Sequence, residues 1–107
     1  MKLYAALRLP VLVPRDAGWC VYLLRCDQVL YCGISNRPEA RFAAHAAGKG
    51  AKFTRMHRPD EMRLVYQGLS RSEAMRLEVR IKRLTAVQKR KLWAVLAEYL
   101  KKPPDNE

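Results

Sequence analysis

The chain is short of acid. Ten Asp and Glu stand against 21 Lys and Arg in 107 residues, a formal charge of +11 at pH 7. That imbalance predicts a positive surface that attracts polyanions and has no bearing on fold. Composition alone leaves open a basic domain whose charge serves only solubility. Cysteine is scarce as well. Cys20, Cys26 and Cys32 are odd in number and lack the C-x-x-C pairs of zinc or dithiol redox sites. Cys20 and Cys32 fall inside apolar runs, where a free thiol behaves as a small hydrophobe, so reduced core thiols in a cytoplasmic protein are expected. No run approaches the ~20 apolar residues of a membrane span. Lys2 precedes an apolar stretch, but Arg8 and Pro10 interrupt it and no small-residue cleavage site follows before Arg15 and Asp16. No secretory leader is expected on that pattern, nor any membrane partner. Internal repeats and low-complexity tracts are absent too.

Half of the residues are apolar, enough for a chain of this length to fold as one modest domain. Residues 1–18, with Pro10, Pro14 and Gly18, read as an extension; 19–100 as the domain; 101–107 as a polar tail. Two β-rich runs, Trp19 to Leu24 and Val29 to Ile34, are separated by Arg25, Asp27 and Gln28, which predicts a hairpin. Both runs are apolar on both faces, so the hairpin is expected at the centre of its sheet. Pro38 and Glu39 suit the start of a helix that Gly48 ends. A loop then covers Gly48 to Arg55, and Met62 to Tyr66 reads as a third strand before Gly68. Ser70-Arg71-Ser72-Glu73 and Thr85-Ala86-Val87-Gln88 have the form of capping boxes. They open one helix through Leu84 and another whose apolar positions Leu92, Val95, Leu96 and Tyr99 keep helical spacing up to Pro103 and Pro104. The expected class is α/β of the α+β kind: a small three-stranded antiparallel sheet flanked by helices, in the order β-β-α-β-α-α.

Tyr22 and Tyr31 lie on the two arms of the hairpin, and Gly33 follows the second. Both tyrosines also suit core positions with a satisfied hydroxyl. A glycine inside a strand marks a bulge or a close approach by another group. Arg41 and His45 share a helix face beside Phe42, as a solvated pair or as part of the pocket that the hairpin borders. Glu78 falls at the edge of an apolar face formed by Ala74, Leu77, Ile81 and Leu84, opposite Arg76, Arg80 and Arg83. A carboxylate there needs a partner, which is either Lys82 four residues on or a metal. The Gly48–Arg55 loop offers glycines, Lys49, Lys52 and Arg55 to phosphate, and Phe53 for stacking on a base.

Taken together, these residues resemble the GIY-YIG endonuclease family. Its two signatures correspond to Cys20-Val21-Tyr22 and Tyr31-Cys32-Gly33. The likeness is closest to the short, stand-alone bacterial branch (YhbQ-like), through Val-Tyr-Leu-Leu-Arg-Cys at 21–26, Leu-Tyr-Cys-Gly-Ile-Ser at 30–35 and Gly-Lys-Gly-Ala-Lys-Phe-Thr-Arg at 48–55. It continues through Glu78-Val79-Arg80-Ile81-Lys82-Arg83-Leu84 and covers roughly residues 19–95. Cys20 and Cys32 replace a Gly and an Ile of the signatures. Gln88, Lys89 and Arg90 stand where larger members carry an Asn beyond the glutamate.

The resemblance implies a metal-dependent endonuclease that hydrolyses DNA phosphodiesters, in repair or in processing branched or damaged DNA. By it, Tyr31 accepts a proton from the attacking water with Tyr22 beside it, Arg41 stabilises the pentavalent phosphate, and His45 assists proton transfer or orients the nucleophile. Glu78 holds a divalent cation, Mg²⁺ or Mn²⁺. A tyrosine with an ordinary pKa near 10 is a poor base at neutral pH, so a cation and a metal must act on it. Lys49, Lys52, Arg55, Arg80, Lys82 and Arg83 are the expected phosphate contacts. The protein is expected in the bacterial cytoplasm, at the nucleoid when bound, with room for a protein partner that supplies specificity. The alternative is a catalytically silent domain of the same family that binds nucleic acid. A basic domain binding an acidic protein would explain the charge but not the constellation.

Overall fold

Strand β1 (Trp19–Cys26) is the spine of the molecule, hydrogen-bonded on both sides. The computed structural model describes residues 2–9 and 18–102. Asp27 and Gln28 alone connect β1 to β2 (Val29–Ser35), and Asp27 takes φ 56°, a left-handed conformation that Asp tolerates. On its other side β1 pairs antiparallel with β3 (Glu61–Leu69), and β3 pairs with a two-residue β4 (Leu100–Lys101). The sheet order is β2-β1-β3-β4. The architecture is α+β, an antiparallel sheet with flanking helices.

The sheet departs from the expectations in three ways. The sheet has a fourth strand, because the chain after the last helix turns back to pair with the start of β3 and takes Lys101 out of the polar tail. The hairpin as a whole is not central: β1 is, while β2 is an edge strand. Beyond Val29, its apolar residues are nonetheless at least partly covered, because helices pack on both faces of that edge. The third strand extends past Gly68, which sits inside it at φ 73°, where the register with β1 shifts and the strand bulges.

Alternation along β1 sorts its side chains onto two faces. Val21 and Leu23 enter one core with Ala74, Leu77 and Ile81 of α4 (Arg71–Lys82) and with Leu92 and Trp93 of α5 (Ala86–Val95). Residues 2–9 join this core through Tyr4 and Leu9, and the Tyr4 hydroxyl of α1 (Lys2–Ala6) donates to the Val65 carbonyl at 2.8 Å. Cys20, Tyr22, Leu24 and Cys26 face the opposite way, onto Phe42 and Met62. Each of the three cysteines is buried and free, as expected, and burial pushes the Cys32 thiol up to about 12.

Both predicted capping boxes form, at Ser70–Glu73 and Thr85–Gln88. Helix α4 ends at Lys82 rather than Leu84. Helix α5 ends at Val95 rather than continuing to Tyr99, because Arg63 donates to the Trp93 carbonyl at 2.8 Å and the chain leaves in extended conformation at Leu96. Tyr99 instead donates a 2.6 Å hydrogen bond to Glu39 of α2 (Pro38–Ala46). The predicted loop 48–55 contains a one-turn helix, α3 (Lys52–Met56). No helix among the described residues is long and apolar enough to cross a membrane.

Candidate active site

The site is built on the face of the sheet that carries α2 and α3. Tyr22 and Gly33 are direct partners across β1 and β2. A Cβ at position 33 would run into the Tyr22 ring and hydroxyl, so the glycine is what lets the phenol lie across the neighbouring strand. The close approach expected at Gly33 is therefore made by this chain's own tyrosine. Tyr22 is enclosed, at 1% exposure, and its hydroxyl lies 3.0 Å from His45 Nε2.

His45 sits in the last turn of α2 and is wholly buried, which corrects its expected place on an exposed helix face. The segment after the helix closes over it. Gly50 packs so near the imidazole that a Cβ there would overlap the ring, and Thr54 Oγ1 of α3 lies 2.7 Å from Nδ1. Thr54 in turn donates to the Ala51 carbonyl at 2.9 Å. Arg41, one turn before His45, is exposed, and its charge and donor groups act on the Tyr22 hydroxyl. Burial, with the Arg41 charge as a second cause, lowers the pKa of His45 to about 4, so the ring is neutral at pH 7. Burial raises that of Tyr22 well above its ordinary value, against a smaller lowering by Arg41.

Tyr31 is half-buried and shares the Leu24 face of the sheet. Its ring centroid lies 5.8 Å from that of His45 and 6.0 Å from that of Phe53, nearly parallel to the latter. Phe53 also stacks on His57 at 4.9 Å, so it is engaged between two rings instead of standing free for a nucleic-acid base. Helix α4 packs on the opposite face, but its edge comes round the end of the sheet: Lys82 Nζ lies 5.9 Å from the Tyr31 ring centroid. Glu78 Oε2 is 3.5 Å from Lys82 Nζ, and its side chain is 22% exposed. The ion pair expected as the alternative for Glu78 is thus formed, at the rim nearest Tyr31.

Among the described residues no group of three or more His, Cys, Asp and Glu could hold a metal. Glu78 nevertheless fits a hard divalent cation. Mg²⁺ is commonly held by one or two carboxylates, with water and substrate phosphate completing its shell, and a part-exposed carboxylate at the rim supplies that kind of donor.

The remaining cations are divided. Lys49, Lys52 and Arg55 are exposed around the His45 enclosure, and Arg83 is exposed on α4's end. Arg80 reaches the Arg8 carbonyl at 3.3 Å and so is tied to the N-terminal segment. Arg37, given no role from sequence, lines a cleft of about 250 Å³ along α2 with Ser35, Asn36 and Arg41; its i,i+4 relation to Arg41 was the available signal. A larger cavity of about 610 Å³, between the β1–β2 turn and α5, is lined by Arg25 and Arg90 and by none of the residues predicted for chemistry.

Comparison with known proteins gives the family of the chain. A family model described as the GIY-YIG catalytic domain matches residues 18–91. A UPF0213 protein of Neisseria meningitidis is 51% identical over 78 residues, covering 72% of this chain and 86% of the relative. One from Oceanobacillus iheyensis is 49% identical over 78 residues, covering 72% and 91%, and one from Cupriavidus necator 42% over 82 residues, covering 76% and 89%. No solved structure matches the chain.

Proposed function

Because this chain belongs to the GIY-YIG family, we propose that it is a metal-dependent endonuclease that hydrolyses DNA phosphodiester bonds, in repair or in processing branched or damaged DNA. The observation that carries this reading is the enclosed Tyr22–His45 hydrogen bond with Arg41 beside it and Tyr31 in front.

Each residue has a distinct task. Tyr31 is the phenol that water reaches: once its own proton has gone to solvent, the phenolate takes a proton from the water whose oxygen bonds to phosphorus, and the bond to the leaving oxygen breaks as that oxygen takes a proton from solvent. Tyr22 is sealed and remains protonated, donating to a neutral His45 and presenting its oxygen to Arg41. Arg41 places its charge on the phosphoryl oxygens, where negative charge develops. Glu78, after leaving Lys82, would hold Mg²⁺ or Mn²⁺, which supplies Lewis-acid charge at the phosphate. Lys49, Lys52, Arg55, Lys82 and Arg83 attract and position the backbone of the nucleic acid. Any preference for a particular DNA would come from structure or from a protein partner, since these contacts go to phosphate.

One observation favours the silent binding module: Glu78 is already neutralised by Lys82. The two readings separate in one experiment. Purified protein is incubated with single-stranded, duplex, flapped and branched DNA, with and without Mg²⁺ or Mn²⁺. Metal-dependent cleavage of at least one substrate supports the enzyme; binding to these DNAs with no cleavage in either metal supports the module.

A further inference from the structure

We propose that Thr54 is a positioning residue: its hydroxyl fixes His45 as the Nδ1–H tautomer and thereby sets the direction of the whole hydrogen-bond chain behind Tyr22. The proposal deepens the nuclease reading above and rests on it for its catalytic consequence, though not for the tautomer itself.

The direction follows from counting protons. A threonine hydroxyl has one, and Thr54 commits it to the Ala51 carbonyl at 2.9 Å. Towards His45 Nδ1, 2.7 Å away, the same oxygen is left only as an acceptor, so Nδ1 carries the hydrogen. Nε2 of the neutral ring is then a bare acceptor, and the 3.0 Å contact with Tyr22 is a donation from the phenol. With its hydrogen so used, the Tyr22 oxygen keeps its lone pairs for Arg41, the group that faces substrate. The chain runs one way, from Tyr22 through His45 and Thr54 to a backbone carbonyl, with the Arg41 charge beside its head.

The opposite tautomer breaks this at both ends. Nε2–H would donate to the Tyr22 oxygen, and Thr54 would have to turn its one hydrogen to the Nδ1 lone pair and give up the Ala51 carbonyl. The enclosure enforces the choice. Thr54 and His45 are both fully buried and Gly50 is pressed against the imidazole, so solvent is not at hand to take the place of the hydroxyl. The charged and titratable groups round the ring are Arg41 on its own helix, Tyr22 and Tyr31 on the sheet, and His57 beyond Phe53. None of them offers Nδ1 an acceptor in place of Thr54. The Gly48–Arg55 segment, which its sequence marks as a phosphate loop, thus also acts as the clamp that orients the histidine.

The test compares wild type, Thr54→Ser and Thr54→Val by ¹⁵N-detected tautomer analysis and by single-turnover DNA cleavage. The chain has two histidines, so the imidazole spectrum contains only His45 and His57. Wild type and Thr54→Ser are expected to show His45 as Nδ1–H at pH 7. Thr54→Val is expected to show Nε2–H or a mixture, and to cleave about 10-fold or more slowly, as loss of a partner that orients a functional histidine does, with DNA affinity unchanged. Nε2–H in wild type, an unaltered tautomer in Thr54→Val, or an altered tautomer with an unaltered rate would each overturn the proposal. If Thr54→Val does not fold, Thr54→Ser decides: retention of Nδ1–H and rate supports it, and loss of either overturns it. If wild type cleaves no DNA, the nuclease reading and the catalytic consequence fall together, and the tautomers still decide what Thr54 does to His45.

Discussion

At the scale of single residues, the site depends on groups kept in unfavourable protonation environments and on glycines that make room for them. His45 titrates near 6.5 when exposed and at about 4 in the fold. Between those values the unfolded chain binds more protons than the folded one, so acid favours unfolding. The contribution of neutral His45 is intact above pH 6.5 and is lost as pH falls towards 4, by up to about 3 kcal/mol. Urea midpoints measured from pH 7 to 4 should therefore fall more steeply for wild type than for His45→Gln, and parallel curves would refute the burial. Gly33→Ala should cost about 1–3 kcal/mol through overpacking against Tyr22. In a Tyr22→Ala background the same change should cost much less, because the clash partner is gone. Tyr22, Tyr31, Gly33, Arg41, His45 and Glu78 were singled out in the sequence by the order and spacing of a family signature, and Tyr22, Tyr31, Gly33 and His45 meet in the fold. Thr54 was not singled out, since a hydroxyl in a basic loop has no periodicity, and its meaning appears only when α3 folds over the histidine.

At the scale of elements, the reliable signals were local chemistry at helix starts. Ser70 and Thr85 cap as their spacing predicted, and Ser70→Ala should cost about 1 kcal/mol by denaturant titration. The errors came from tertiary contacts overriding local pattern. Residues 96–99 keep a helical apolar spacing, yet α5 stops because Arg63, projecting from β3, supplies the donor for its last carbonyls and lies 4.2 Å from the Trp93 ring centroid. Arg63 also meets Glu61 at 2.6 Å, a carboxylate buried to 1% exposure whose other partner is Arg25 at 3.3 Å. Arg63→Ala should thus remove a cap, a cation–π contact and half of the neutralisation of a buried charge together. A loss of about 3 kcal/mol is expected, well above that of the Ser70 cap. Equal losses in the two variants would show that Glu61 is not dependent on Arg63.

For the molecule as a whole, the charge of +11 bears on association and not on architecture. DNA affinity should fall steeply with salt and vary little with base sequence. Replacing Lys49, Lys52 and Arg55 by Ala should flatten the dependence of log affinity on log salt by about one unit for each phosphate contact removed. An unaltered slope would place the DNA elsewhere on the surface. Since binding alone is shared by an enzyme and a silent module, the deciding measurement is single-turnover cleavage of labelled DNA in Mg²⁺ by wild type, Arg41→Ala and Glu78→Ala, with affinity measured alongside. Wild type should cleave only with metal. Arg41→Ala should be slower by ~10²-fold or more, as for loss of a transition-state donor, and Glu78→Ala should lose the metal-stimulated reaction while still binding. The same trace of cleavage in all three proteins would contradict the nuclease assignment and leave a DNA-binding module.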